Sequence, residues 1–87
     1  MNPKVRIVKP LPDHRLFLEF SNGEQRVFDL TPYLSKGVFQ KLRDRDAFIT
    51  ARVVAGSVEW RGGMDLSYDT LYLDSIPGES RSTRTVA

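Results

Sequence analysis

The dipeptide Asn22-Gly23 lies between two runs rich in strand-forming residues, and no other feature of this sequence restricts its fold so much. Asn-Gly tolerates the positive φ of a tight β-turn, so the flanking runs should return antiparallel to each other. Before the turn, Leu16, Leu18 and Phe20 face one way and Phe17 and Glu19 the other; after it, Val27 and Phe28 are strand formers within Gln25 to Leu30. An earlier run, Lys4 to Lys9, also alternates, and Pro10 and Pro12 end it because proline cannot donate to a sheet ladder. The first third of the chain thus reads as three strands.

Beyond Leu30 the chain mixes helical and strand periods. Thr31-Pro32 is a helix-start signal, with a capping hydroxyl followed by a residue that lacks the N–H a first turn would orphan. Val38, Phe39 and Leu42 are spaced for one face of a short helix, which must dock on the sheet because so short a helix is not stable alone. Ile49 to Ala55 is β-branched and predicts a strand, Gly56-Ser57 a turn, Val58 to Trp60 a returning strand, and Gly62-Gly63 a second turn. Ser67 caps a helix over Tyr68 to Leu73 with Asp69 in its first turn, where the helix dipole favours a carboxylate. The class is α+β: a small antiparallel or mixed β-sheet of about five short strands with two or three short helices packed on it. Residues 1–76 form one domain, and the polar stretch 77–87 is expected to be a disordered tail.

With 87 residues there is little core to spare, so nearly all of Phe17, Phe20, Phe28, Phe39, Phe48, Trp60 and the leucines are expected in it, and self-association would help. The formal charge of +2 comes from 13 Lys plus Arg against 11 Asp plus Glu. Arg81 and Arg84 lie in the tail, so residues 1–79 are neutral in sum, with basic early segments and a purely acidic stretch over 62–79. The sequence pI of 9.2 therefore argues only weakly for nucleic acid. Cysteine is absent, which excludes thiol chemistry and disulfides, and neither an apolar span nor a leader is read. A cytoplasmic, non-enzymatic protein without a cofactor or metal is the expectation.

Each chemical candidate has a plain alternative. His14, the one histidine, falls in a loop and reads as solvated. Asp65 and Asp69, with Asp74 nearby, have the spacing of hard-metal ligands or of a helix start. Gly62-Gly63 reads as a turn before it reads as an anion cradle. Tyr68 and Tyr72, four apart and near Trp60, suit either an interface or a core-facing helix side. Lys36, Lys41, Arg43 and Arg45 surround the middle helix and supply the alternative reading, weak nucleic-acid or anion binding.

The series Leu18-Glu19-Phe20, Asn22-Gly23-Glu24, Val27-Phe28-Asp29-Leu30, Tyr33-Leu34, Gly37-Val38-Phe39, Leu42-Arg43-Asp44, Phe48 and Val53 ends in Trp60-x-x-Gly63-x-Asp65-Leu66-Ser67-x-Asp69-x-Leu71-Tyr72. It resembles a bacterial family known only as a domain of unknown function, over roughly residues 4–73, and the closing Trp-to-Tyr segment is the specific part. The resemblance implies a small α+β fold, free-standing or preceding a helix-turn-helix domain, in toxin–antitoxin-like or regulatory gene neighbourhoods, and implies no catalytic residue. Arg61-Gly62 stands where the family usually has Pro-Asn, and Tyr68 where it often has Pro. The functional expectation is an interaction or regulatory domain that binds an unidentified protein partner through Trp60, Asp65, Tyr68, Asp69 and Tyr72.

Overall fold

A computed structural model describes residues 2–77. Strands β1 (Val5–Leu11), β2 (Arg15–Phe20) and β3 (Gln25–Asp29) form an antiparallel meander, which β4 (Arg52–Val54), β5 (Ser57–Glu59) and β6 (Asp65–Leu66) follow as a second antiparallel sheet. Helix α1 (Arg45–Phe48) precedes β4, helix α2 (Tyr68–Leu73) follows β6, and β7 (Ile76–Pro77) returns to pair with β3. The larger sheet has the order β1-β2-β3-β7 and the smaller β4-β5-β6. The fold is α+β, but with seven strands in two sheets where about five in one were expected. The two extra strands, β6 and β7, have two residues each, too few to display a period.

The hairpin between β2 and β3 forms as the Asn-Gly pair requires. Gly23 takes φ +90°, its N–H donates to Phe20 O at 2.9 Å, and Asn22 Oδ1 accepts from Glu24 N at 3.0 Å. The side chain closes a local turn that the backbone alone leaves open. Leu16, Leu18 and Phe20 point inward and are fully buried. They join Phe28, Leu30, Leu42, Phe48, Val58, Trp60 and Leu71 in one core between the larger sheet and the rest of the chain. Trp60 Nε1 donates to Phe48 O at 3.0 Å, so the largest core side chain has its polar atom satisfied.

Several local expectations are corrected. Thr31 does not cap; its own N–H donates to Asp29 Oδ1 at 3.0 Å, and Thr31–Tyr33 is a 3₁₀ turn. Gly37–Arg43 is 3₁₀ throughout rather than α-helical. Three residues per turn align Phe39 with Leu42 and rotate Val38 away, which leaves Val38 58% exposed. The strand expected from Ile49 begins only at Arg52, because Thr50 and Ala51 still donate to Ala47 O and Phe48 O beyond α1. Phe17 lies outside the core cluster, on the opposite face of the sheet. Ile76 and Pro77 are paired with Val27 and Arg26, so order extends into the first residue of the expected tail. The remainder of that tail, residues 78–87, is outside the described residues.

The turn between β4 and β5 places Ala55 at φ 52° and Gly56 at φ 84°. Gly56 O also accepts from Val5 N at 2.8 Å, which joins the two sheets. A Cβ on Gly56 would stand 2.8 Å from Lys4 Cβ, whereas one on Gly23 would meet nothing within 4 Å. Gly23→Ala should therefore cost only the left-handed backbone penalty, about 1–2 kcal/mol. Gly56→Ala should cost about 2–4 kcal/mol, because overpacking adds to that penalty. Urea unfolding of the two variants checks this, and equal losses would contradict the close approach at Gly56.

Candidate functional site

Helix α2 and the β2–β3 turn define the most organised polar region of the surface. Ser67 holds the helix start, its Oγ accepting from Thr70 N at 3.4 Å, and Asp69 lies in the first turn. Leu71 anchors the buried side of the helix, while Tyr68 and Tyr72 are half-buried and pack against the core.

Tyr72 is one part of a four-residue clasp. Its hydroxyl donates to Glu24 Oε2 at 2.8 Å, and its ring packs edge-on against Phe20 at 5.2 Å. Arg26 lies over that ring, its guanidinium carbon 4.6 Å from the centroid. The guanidinium donates to Glu24 Oε1 at 3.0 Å, to Ser75 Oγ at 2.7 Å and to Ser75 O at 2.9 Å. Ser75 Oγ in turn donates to Tyr72 O at 3.0 Å. Arg26 is thus a planar fork that engages three donors, one from each of its nitrogens, and one face, which a lysine ammonium does not reproduce. Among the described residues Ser75 is the one buried polar residue, and no buried side-chain polar atom there lacks a partner.

The clasp shifts two acidities. The Tyr72 hydroxyl, with help from Arg26 and Asn22, holds the Glu24 carboxyl below its ordinary value against a smaller opposing effect of burial. The hydrogen bond to Glu24, burial and the carboxylate charge push the Tyr72 phenol up. Tyr33 is also raised, first by burial and then by its 3.1 Å hydrogen bond to Asp74.

The expected interface residues are dispersed over two levels. Trp60 is fully buried with its N–H engaged, so it supports the region from beneath and cannot be a contact residue; the correction follows from the bulk that the small core needs to fill. Asp65 and Asp69 are exposed, and Asp69 Oδ1 accepts from Asn2 Nδ2 at 2.9 Å. Lys4 Nζ lies 5.8 Å from the Tyr68 ring centroid. The carboxylates do not converge: Asp65 is paired with Glu59 across the ladder, while Asp74 accepts from Tyr33. Among the described residues no three His, Cys, Asp or Glu side chains are grouped to hold a metal.

Lys36, Lys41, Arg43 and Arg45 are all exposed on the middle segment. Two of them also brace the fold, Arg43 donating to Leu34 O at 3.0 Å and Arg45 to Leu11 O at 2.9 Å. His14 is half-buried rather than solvated: its ring lies 4.9 Å from Phe48, and Nε2 contacts Arg43 O at 3.2 Å. Gly62 and Gly63 form the turn between β5 and β6, with φ of 103° and 93°.

Sequence reasoning missed Glu24, Arg26, Ser75 and Leu73. Arg26 left a signal, since it shares the parity of Phe28 on β3 and so had to point inward, where a charge requires partners. Leu73, 67% exposed on α2, left none, because its neighbours gave no reason to rotate it outward.

Taken together, these features define a small two-sheet α+β domain closed by a side-chain clasp. The chain belongs to the family described as "Protein of unknown function (DUF2442)", whose model matches residues 5–77. No curated protein and no solved structure matches the chain. Among the described residues no helix is long and apolar enough to cross a membrane.

The acidity shifts predict how stability depends on pH. Glu24 is lowered, so its contribution is complete above the ordinary carboxylate range and is lost as pH falls through its lowered value. Tyr72 is raised, so its contribution is complete below the ordinary phenol range and is lost as pH rises through its raised value. Thermal unfolding across pH should show an acid limb that shrinks in Glu24→Gln and an alkaline limb that shrinks in Tyr72→Phe. Superimposable profiles for wild type and variants would rule out the clasp as the source.

Proposed function

We propose that this is a non-enzymatic protein-interaction domain, acting as a regulatory module of the toxin–antitoxin-like kind, that binds its partner through the exposed side of α2. The observation that carries the proposal is the display of Tyr68, Tyr72 and the 67% exposed Leu73 on one short helix, beside the exposed carboxylates Asp65 and Asp69. Tyrosines with a covered ring and an accessible edge are common interface anchors, since little rotamer freedom remains to be lost on binding. Here Tyr72 is already fixed by Glu24, Arg26 and Phe20, and the rigid helix presents its neighbours in one geometry. The carboxylates favour a partner with a basic rim, which would speed encounter more than it would tighten the complex.

Tyr68 and Leu73 are the residues to alter, because Tyr72 also holds the fold. Affinity capture from the native cell with wild type and with the pair Tyr68→Ala/Leu73→Ser tests the surface. A partner retained by wild type should bind the variant about tenfold or more weakly, with an unchanged near-ultraviolet circular dichroism spectrum. A partner bound equally by both proteins would place the interface elsewhere.

A further inference from the structure

The larger sheet has a second face, remote from the core. Ladder register aligns one row across all four strands on that face: Lys9 on β1, Phe17 on β2, Val27 on β3 and Ile76 on β7. Arg15 and Asp29 are partners in the neighbouring row. This face is apolar at its centre. Val27 is only 6% exposed yet lies outside the core cluster, Phe17 is half-buried, and Ile76 is 52% exposed. Ile7, on the same face of β1, is 36% exposed. An open groove of about 370 Å³ runs along it, lined by Arg15, Val27, Asp29, Asp74 and Ile76.

Charge is divided across the face. Its β1–β2 side carries Lys9 and Arg15, together with a Glu19 already neutralised by Arg6, and its β3–β7 side carries Asp29 and Asp74. Among the described residues none of Lys9, Arg15, Asp29 and Asp74 takes part in an ion pair; the pairs there are Arg6–Glu19, Arg26–Glu24 and Arg52–Glu59.

We propose that the occupant of this face is a second copy of the same chain, packed face to face about a two-fold axis that runs between β2 and β3 and parallel to them. That operation exchanges the cationic and anionic sides. Because Arg15 pairs with Asp29 and Phe17 with Val27 in the ladder, it sets Arg15 over Asp29 of the second copy and Phe17 over its Val27. Lys9 likewise meets the side that carries Ile76 and Asp74. An isologous interface requires this kind of self-complementarity. Two sheets packed in this way make a sandwich with their strands aligned and their faces about 10 Å apart. Four strands by about five residues cover only some 300 Å² in projection. The pair therefore belongs with small, weak interfaces and should dissociate in the micromolar range.

Sedimentation of the full chain from about 5 to 500 μM should show a concentration-dependent monomer–dimer equilibrium, with an affinity typical of weak interfaces. Arg15→Asp alone sets a carboxylate against Asp29 of the second copy, and Asp29→Lys alone sets an ammonium against its Arg15. Each single variant should lose at least tenfold in self-affinity while keeping the wild-type circular dichroism spectrum. An equimolar mixture of the two should regain dimer. In the mixed pair the introduced carboxylate at position 15 of one copy meets the introduced ammonium at position 29 of the other, and the unaltered Asp29 meets the unaltered Arg15. Ile76→Lys, at an exposed position, should weaken self-association independently. A chain that stays monomeric throughout the range would overturn the proposal, and so would a mixture that associates no better than its separate components.

Discussion

A sheet with one covered face and one open face is the constraint on which the rest of this structure depends. Leu16, Leu18 and Phe20 bury one face of β2 completely, and Val58, Trp60, Leu66 and Leu71 from the other side of the core must cover them. In a chain without cysteine this hydrophobic burial replaces the covalent staples common in small domains. The smaller sheet and α2 are too short to stand alone, and they persist because they roof the larger sheet. The hydrogen bonds from Trp60 Nε1 to Phe48 O and from Val5 N to Gly56 O fix where that roof sits.

The Arg26 clasp serves the same constraint at the edge of the core. Opposite Leu18 on β3, a charged side chain faces inward where an apolar one would be expected. Its cost is offset because Glu24, Ser75 and the Tyr72 ring together satisfy the guanidinium. The same contacts anchor the end of α2 and the approach to β7, and so hold Tyr72 in place. The residues below the surface set the geometry, and the residues above it remain available for contact.

The inward set of β2 was legible from its alternation, and the turn at Gly23 and the cap at Ser67 from the residue types there. Legibility failed where elements are too short to repeat their period, as in β6 and β7, and where the helical pitch differed, as for Val38. Phe17 was misplaced for a different reason: counting apolar residues toward one core presumes that a small domain has a single apolar face. Of the expected contact residues, Asp65, Tyr68, Asp69 and Tyr72 are at or near the surface, whereas Trp60 is not. Bulk and aromatic character alone do not distinguish an anchor from its foundation.

The two residue pairs that join β7 to β3 have a consequence for how the chain folds. The β1–β2 and β2–β3 ladders close loops of only a few residues, whereas Arg26 and Ser75 are 49 positions apart. Closing so long a loop carries a chain-entropy cost that two ladder pairs do not repay, so β7 must wait until the second sheet and α2 have assembled. The meander is then the early, local part of the folding reaction and the clasp its last step. Opening from the native state should run in the reverse order, with β7 released before the core yields.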